Sequence, residues 1–311
     1  MLKYIKNVAF ITIATVLWNV AANAQVTYSK EDSIKVVELL KSGAKYKCSD
    51  KKELILYYGN KLKGVPYVAS TLEINHTERL IVNLHQLDCT TFVETVLALA
   101  LTTSQGSVKW NDYCANLLKI RYKNGVINGY PSRNHYFLWW IESNRSQGIV
   151  ATPMDDDYRR SKSSNRHIYR RQNIYLNWMS THTSSYPMLK GNNKFIREIA
   201  EHEKSSNGKY MMYIPQKNLG LSRKTMKWVE NSDILAICTK KKGLDTTHIG
   251  IAVWGSDGKL HLLNASQIHK KVVLEPMTLK EYMSHHPSQI GVWVIKPILP
   301  PSSQSFFDNH K

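Results

Sequence analysis

The 311-residue chain predicts an α+β fold, on three observations. Apolar residues recur at helical spacing through much of the first half. The last third breaks into short apolar runs divided by tight turns, which reads as an antiparallel sheet or small barrel. Helices come first and sheet afterwards, which sets the class.

Residues 1–24 stand apart from the fold. Lys3 and Lys6 form a basic n-region, Val8 to Val20 a mostly apolar h-region, and Ala22-Asn23-Ala24 an A-x-A cleavage site ahead of Gln25. This is the pattern of a secretory signal peptide. Its apolar run is too short and too interrupted to predict a membrane span. No cysteine follows the cleavage site, so no lipid anchor is expected. The expectation is a soluble, periplasmic protein with one domain over residues 25–311. The formal charge of +18, less the two leader lysines, suits an anionic partner such as carboxylate-rich wall material. Nucleic acid is not expected in that compartment, and no zinc-finger spacing or RNP-like aromatic box supports it. Four cysteines, Cys48, Cys89, Cys114 and Cys238, are too few for a disulfide scaffold. If Cys89 is a nucleophile it stays free, and the other three are expected mainly as buried thiols.

Taken in order, Ser29-Lys30-Glu31-Asp32-Ser33 opens a helix, and a second covers Lys51 to Leu62 before Gly64-Val65-Pro66-Tyr67 breaks it. Leu72–Asn75 and Leu80–Leu84 read as strands. The second runs into Asp88-Cys89-Thr90-Thr91-Phe92-Val93-Glu94, the start of a helix with Asp88 as N-cap. Phe92, Val93, Val96, Leu97 and Ala100 share one face of it. Cys89 then lies in the first turn, where the macrodipole and free N–H groups favour a thiolate and suit an oxyanion. Asp88 opposes the thiolate by charge, so a basic partner is needed. The same stretch also reads as a small buried thiol in a core helix. Residues 107–125 form a further helix. Residues 128–137 form a polar and aromatic turn, and Leu138-Trp139-Trp140-Ile141 an aromatic helix, so Arg133 and His135 are either turn residues or groups facing a ligand. In residues 152–171 the side chains of Asp155, Asp156 and Asp157 diverge and no D-x-D-x-D-G loop is present, which favours a solvated charged loop over a calcium site. Residues 174–182 form a strand or helix, and 190–209 a polar helix.

Strands follow at Ile234–Cys238, His248–Val253 and Leu260–Ser266, the last two joined by the Gly255-Ser256-Asp257-Gly258 hairpin. Val272–Leu274 and Ile290–Ile295 add two more. A thiolate nucleophile needs a base, and the base needs a third group to orient it. His248 and Asn264 flank the one hairpin and can be cross-strand neighbours. Cys89, His248 and Asn264 thus fall in the order and roles of papain-like hydrolases. Taken alone, His248 also reads as a satisfied strand histidine.

Asp88–Glu94, Gly129–Phe137, Ser180-Thr181-His182, Gly243–Gly250 and Leu263–Ser266 together resemble one family. It is the N-acetylmuramoyl-L-alanine amidase-like branch (DUF1460) of the NlpC/P60 cysteine peptidases. The resemblance runs from about Lys52 to Lys296. It implies a papain-like core over about 52–296, with insertions over about 128–231, and the nucleophile helix packed on the sheet. It implies Cys89 as nucleophile and His248 as base. Asn264 falls where relatives often carry histidine, with Ser266 as the fallback. The implied substrate is peptidoglycan, as small muropeptides, cut between the muramic acid lactyl group and L-alanine. Ordinary relatives cut between D-glutamate and a diamino acid. Arg133, His135, Tyr136, Ser180, Thr181 and His182 are the candidate substrate contacts. A monomer needing neither metal nor organic cofactor is expected, since no H-E-x-x-H or comparable set stands out among the 12 histidines. A catalytically silent wall-binding protein is the rival from outside enzymology.

Overall fold

The structure, a computed structural model, describes residues 26–161 and 167–300. The signal peptide read at residues 1–24 lies outside the described residues. The elements run β1 (Val26–Thr27), α1 (Lys30–Ala44), α2 (Glu53–Lys61), β2 (Leu80–Ile81), α3 (Cys89–Ser104), α4 (Trp110–Arg121) and α5 (Phe137–Ser146). Then come β3 (Val150–Ala151), α6 (Pro153–Ser161), β4 (Arg170–Asn173), α7 (Trp178–Thr181), α8 (Asn193–Ser206) and β5 (Tyr210–Pro215). The chain closes with β6 (Ile234–Thr239), β7 (Thr246–Trp254), β8 (Leu260–Ser266), β9 (Lys271–Leu274), α9 (Leu279–Ser284) and β10 (Gln289–Pro297).

This is a mixed α+β molecule. Its main sheet has eight strands, in the order β4-β5-β10-β6-β7-β8-β9 with β3 added against β10, and every pairing is antiparallel. The middle strand β6 is buried along its whole length because the sheet is covered on both faces. Alternation sends Ala236, Cys238, Ile249, Ile251, Leu263 and Ala265 into one core with α3, and Leu235, Ile237, Ala252 and Leu262 into a second with Trp228 and Met283. Helix α3 lies against β7 and β8, and α1, α2 and α4 surround it, so its residues from Thr91 onward are buried all round.

Three readings are corrected. Leu72–Asn75 is not a strand: Ile74 is 63% exposed and no strand among the described residues pairs with it, while Glu73 is drawn to Arg133. Of Leu80–Leu84 only Leu80 and Ile81 pair, in parallel with Val26 and Thr27. The charged stretch after residue 152 is helix α6, not a solvated loop. Asp155 is buried there and accepts the Met212 N–H at 2.9 Å, while Asp156 pairs with Arg145 at 2.6 Å. Among the described residues no helix is long and apolar enough to cross a membrane.

Candidate active site

The site begins with the cap of α3. Asp88 Oδ1 accepts the Thr91 N–H at 2.8 Å and Thr91 Oγ1 accepts the Asp88 N–H at 2.9 Å, a reciprocal capping box. Such a cap is worth about 1 kcal/mol and fixes Cys89 as the first helical residue. The Cys89 N–H has no partner among the described residues and stands at the positive end of a buried 16-residue helix.

The opposite wall is the start of β7. Between Ile237↔His248 and Cys238↔Thr246 the register steps, which leaves Thr247 as an extra residue beside His248. Bulges of this kind re-aim the neighbouring side chain. Helix α3 packs on β7, and Cys89 shares one cavity wall with His248 and Ile249, whose backbone N–H favours the Cys89 anion, so β7 meets the head of α3 directly beside His248. The β7–β8 register sets Leu262 against Ala252, so Asn264 and His248 share a face and sit diagonally. His248 Nε2 lies 2.9 Å from Asn264 Oδ1. The Asn264 amide donates through Nδ2 to the Leu262 carbonyl at 3.3 Å, which turns its oxygen toward the imidazole. His248 therefore donates through Nε2–H, and Nδ1 carries the free lone pair. Asn264 is fully buried, as an orienting group needs to be. The fallback Ser266 instead accepts the His269 N–H.

The expected thiolate is not favoured in the resting site. Burial, then the Asp88 carboxylate, pushes the Cys89 thiol up to about 12, against hydrogen bonds from Ile249 and Thr90 that stabilise the anion. Burial, helped by His286, holds the His248 imidazole below its usual value, while Asn264, Asp88 and Glu275 pull the other way. Both shifts leave a neutral thiol beside a neutral imidazole.

Cys89, His248 and Ile249 line a cavity of about 210 Å³ with His135, Tyr136, Phe137, Trp140, Met179, Tyr186 and the Leu244–Thr247 segment. Asp245 ties these walls together, accepting the Leu138 N–H at 2.8 Å and the Thr246 N–H at 2.7 Å. It thereby caps α5, whose own N-cap residue Tyr136 makes no side-chain cap. Gly243 holds φ +83, and a Cβ there would sit 2.3 Å from Asn177 Oδ1. Its carbonyl accepts the Asn177 and Trp178 N–H groups, which brings α7 and Met179 to the cavity.

The candidate contacts divide into two groups. His135 and Tyr136 line the cavity. His135 donates Nε2–H to the Tyr130 carbonyl at 2.8 Å. Burial holds it neutral, so Nδ1 is left as an acceptor. The Tyr136 hydroxyl is committed to the buried Glu203 at 2.6 Å, so the ring is what faces a ligand. Arg133 is turned inward: it pairs with Glu73 at 2.6 Å and Glu78 at 3.4 Å and packs over Tyr130. Ser180 and Thr181 bond back to the Asn177 carbonyl, and His182 to the Trp178 carbonyl while stacking on that indole. None of these four lines the cavity. Met179 and Tyr186 do, and sequence reading passed over both, because a lone Met in a four-residue helix or a lone Tyr in a loop carries no periodic signal.

A family model described as AmiA-like, N-acetylmuramoyl-L-alanine amidase-like, matches residues 57–292. Among solved structures the chain is similar to an N-acetylmuramoyl-L-alanine amidase from Bacteroides uniformis, at 32% identity and TM-score 0.71, over 80% of this chain and 99% of that one. It is similar to a Bacteroides fragilis protein described provisionally as a xylanase, at 36% identity and TM-score 0.69, over 77% and 99%. A Legionella pneumophila protein of family DUF1460 shares the fold, at 20% identity and TM-score 0.66, over 88% and 97%. None of the curated proteins matches.

Proposed function

This chain belongs to the N-acetylmuramoyl-L-alanine amidase-like family, and from that premise we propose a cysteine-dependent hydrolase that cuts the muramoyl–L-alanine amide of peptidoglycan fragments. The observation that carries the chemistry is the His248–Asn264 hydrogen bond at the wall of the cavity that Cys89 also lines. A nucleophile at a helix start, packed on the antiparallel sheet that carries the base, is the reason to read the core as papain-like and of NlpC/P60 type. The leader-like residues 1–24 argue for export to the periplasm, where this substrate is found.

In this mechanism His248 Nδ1 takes the Cys89 proton as the sulfur attacks the lactyl carbonyl. Because the thiol is so weak an acid here, proton transfer and attack run together. The Cys89 N–H at the helix start holds the developing oxyanion. The tetrahedral intermediate expels the L-alanine nitrogen, which takes the proton from His248. Water, deprotonated by the same imidazole, hydrolyses the thioester and restores the thiol. Asn264 keeps Nε2 protonated and Nδ1 aimed at its work.

A cavity of about 210 Å³ is smaller than the ~300–1,000 Å³ of ordinary small-ligand sites. It suits the groups flanking one amide, with the rest of the ligand outside. A glycosidase of the xylanase kind needs two carboxyl groups about the bond. Asp245 is the single carboxylate lining the cavity among the described residues, and backbone N–H groups already occupy it.

Mass spectrometry of products from a defined disaccharide-tripeptide tests the bond. Intact disaccharide and a free peptide beginning at L-alanine are expected. A released diamino acid would instead move the cut to the D-glutamyl bond. The pH profile tests the neutral pair. His248 works unprotonated and its pKa is lowered from 6.5. Hence kcat/KM should fall only as the pH drops through a value below 6.5, and stay level upward to about pH 10 because the thiol remains protonated there. Alkylation of Cys89 by iodoacetamide should climb steadily with pH. A rate already maximal at about pH 6 would mean a preformed thiolate and overturn this form of the mechanism.

A further inference from the structure

A larger cleft, of about 750 Å³, shares no lining residue with the cavity at Cys89. It is bounded by α2, the turn before it and parts of the 223–232 segment. Helix α2 buries Leu54, Ile55 and Tyr58 in the core, and Tyr57, Asn60 and Lys61 line the cleft. Tyr57 stacks on Tyr46, with ring centroids 4.4 Å apart, and Lys61 Nζ lies 5.5 Å from the Tyr57 centroid.

The polar groups of this cleft sort by whether they are already used. Glu53 accepts the Ser49 and Asp50 N–H groups, and Glu230 is held by Lys296 and Lys52. Asn60, Lys61, Arg223 and the Ser232 hydroxyl make no side-chain hydrogen bond or ion pair among the described residues. Ser232 is nevertheless 3% exposed and held at φ +76, a backbone region that non-glycine residues seldom adopt and that recurs at ligand sites. Acidic and basic side chains balance around the wall, as Asp50, Glu53 and Glu230 against Lys52, Lys61 and Arg223. A cleft with no net charge suits neither nucleic acid nor a phosphate polymer. Stacked aromatic rings rimmed by unused donors match a ring with an apolar C–H face and a polar edge.

We propose that this cleft is a saccharide-binding site. A pyranose ring lies against the Tyr46–Tyr57 pair, and its hydroxyl or acetamido groups meet Asn60, Lys61, Arg223 and Ser232. The site would hold glycan apart from the amide being cut, and its existence does not depend on the chemistry assigned to Cys89.

Titration calorimetry of the wild-type protein with tri-N-acetylchitotriose, which carries no peptide, tests this directly. Binding in the submillimolar range is expected. It should weaken roughly tenfold or more in Tyr46→Ala and in Arg223→Ala. Both residues are exposed, so neither change threatens folding, and hydrolysis of a soluble muropeptide should be unchanged in both. No binding at millimolar sugar, or wild-type affinity in both variants, overturns the proposal. If the sugar fails to bind while the muropeptide is still cleaved, the cleft assignment falls and the amidase reading stands. Binding without any cleavage has the opposite meaning.

Discussion

Cys89→Ala is expected to lower kcat/KM on a disaccharide-tripeptide by roughly 10⁴-fold or more, with the fold intact. The substitution removes the atom that forms the thioester, and no hydroxyl or thiol in the cavity takes its place with His248 behind it. Thr90 and Thr247 also line the cavity, but the imidazole is turned by Asn264 and it is Cys89 that opens α3 behind the Asp88 cap. The structural cost is small. The side chain shortens by one atom at a half-buried helix N-terminus whose capping box is made by Asp88 and Thr91. Unfolding free energy should change by no more than about 1 kcal/mol. Thermal melting alongside single-turnover kinetics separates lost chemistry from lost fold. A variant that keeps a few per cent of wild-type turnover would remove Cys89 from the nucleophile role. The silent wall-binding reading makes a different forecast: the substitution would change nothing because the wild type does not cleave.

Much of this site can be read from the sequence because its parts are local. Asp88 before an apolar-periodic segment signals the cap, and the cap alone fixes where Cys89 sits. The Gly255–Gly258 turn between two apolar runs sets His248 and Asn264 on strands that must pair, and a diagonal on one face is within side-chain reach. The strands of the last third were legible for the same reason. What stayed hidden depends on distant partners. Arg133 is a polar residue in an aromatic turn, and only the folded chain brings Glu73 and Glu78 to it. Helix α6 is disguised by charge, because Asp155 is buried to accept a backbone N–H from β5, a purpose no local pattern shows. The polar run Arg170–Asn173 becomes an edge strand only because β5 offers it a partner. The acidity of Cys89 was also misjudged from local features. The dipole and N–H groups at the helix start favour the anion, but burial under β7 outweighs them.

The largest effect on stability should come from Glu94, one turn into the helix that begins with Cys89. Its side chain and that of Arg121 on α4 are each 3% exposed, and their charged atoms lie 2.7 Å apart. Arg121 also donates to the Ile81 carbonyl at 2.6 Å, so the guanidinium ties α3 and α4 to the short β1–β2 pair. Burial works to deprotonate Arg121, and the Glu94 carboxylate, aided by Tyr122, more than offsets it. Removal of the carboxylate therefore leaves a full positive charge in the core with one hydrogen-bonded carbonyl and only the more distant Glu78 carboxylate to offset it. Glu94→Ala is expected to cost about 3–5 kcal/mol, and at about 2–4 °C per kcal/mol the melting temperature should fall by roughly 6–20 °C. Glu94→Gln keeps an acceptor for the guanidinium and should cost less. The double variant Glu94→Ala/Arg121→Met should recover part of the loss, since it removes the stranded charge as well as its partner. Urea unfolding of the three variants decides the matter. A cost of about 1 kcal/mol or less for Glu94→Ala alone would mean that water reaches the pair. The head of α3, and with it Cys89, would then be held in place by apolar packing and the Asp88 cap.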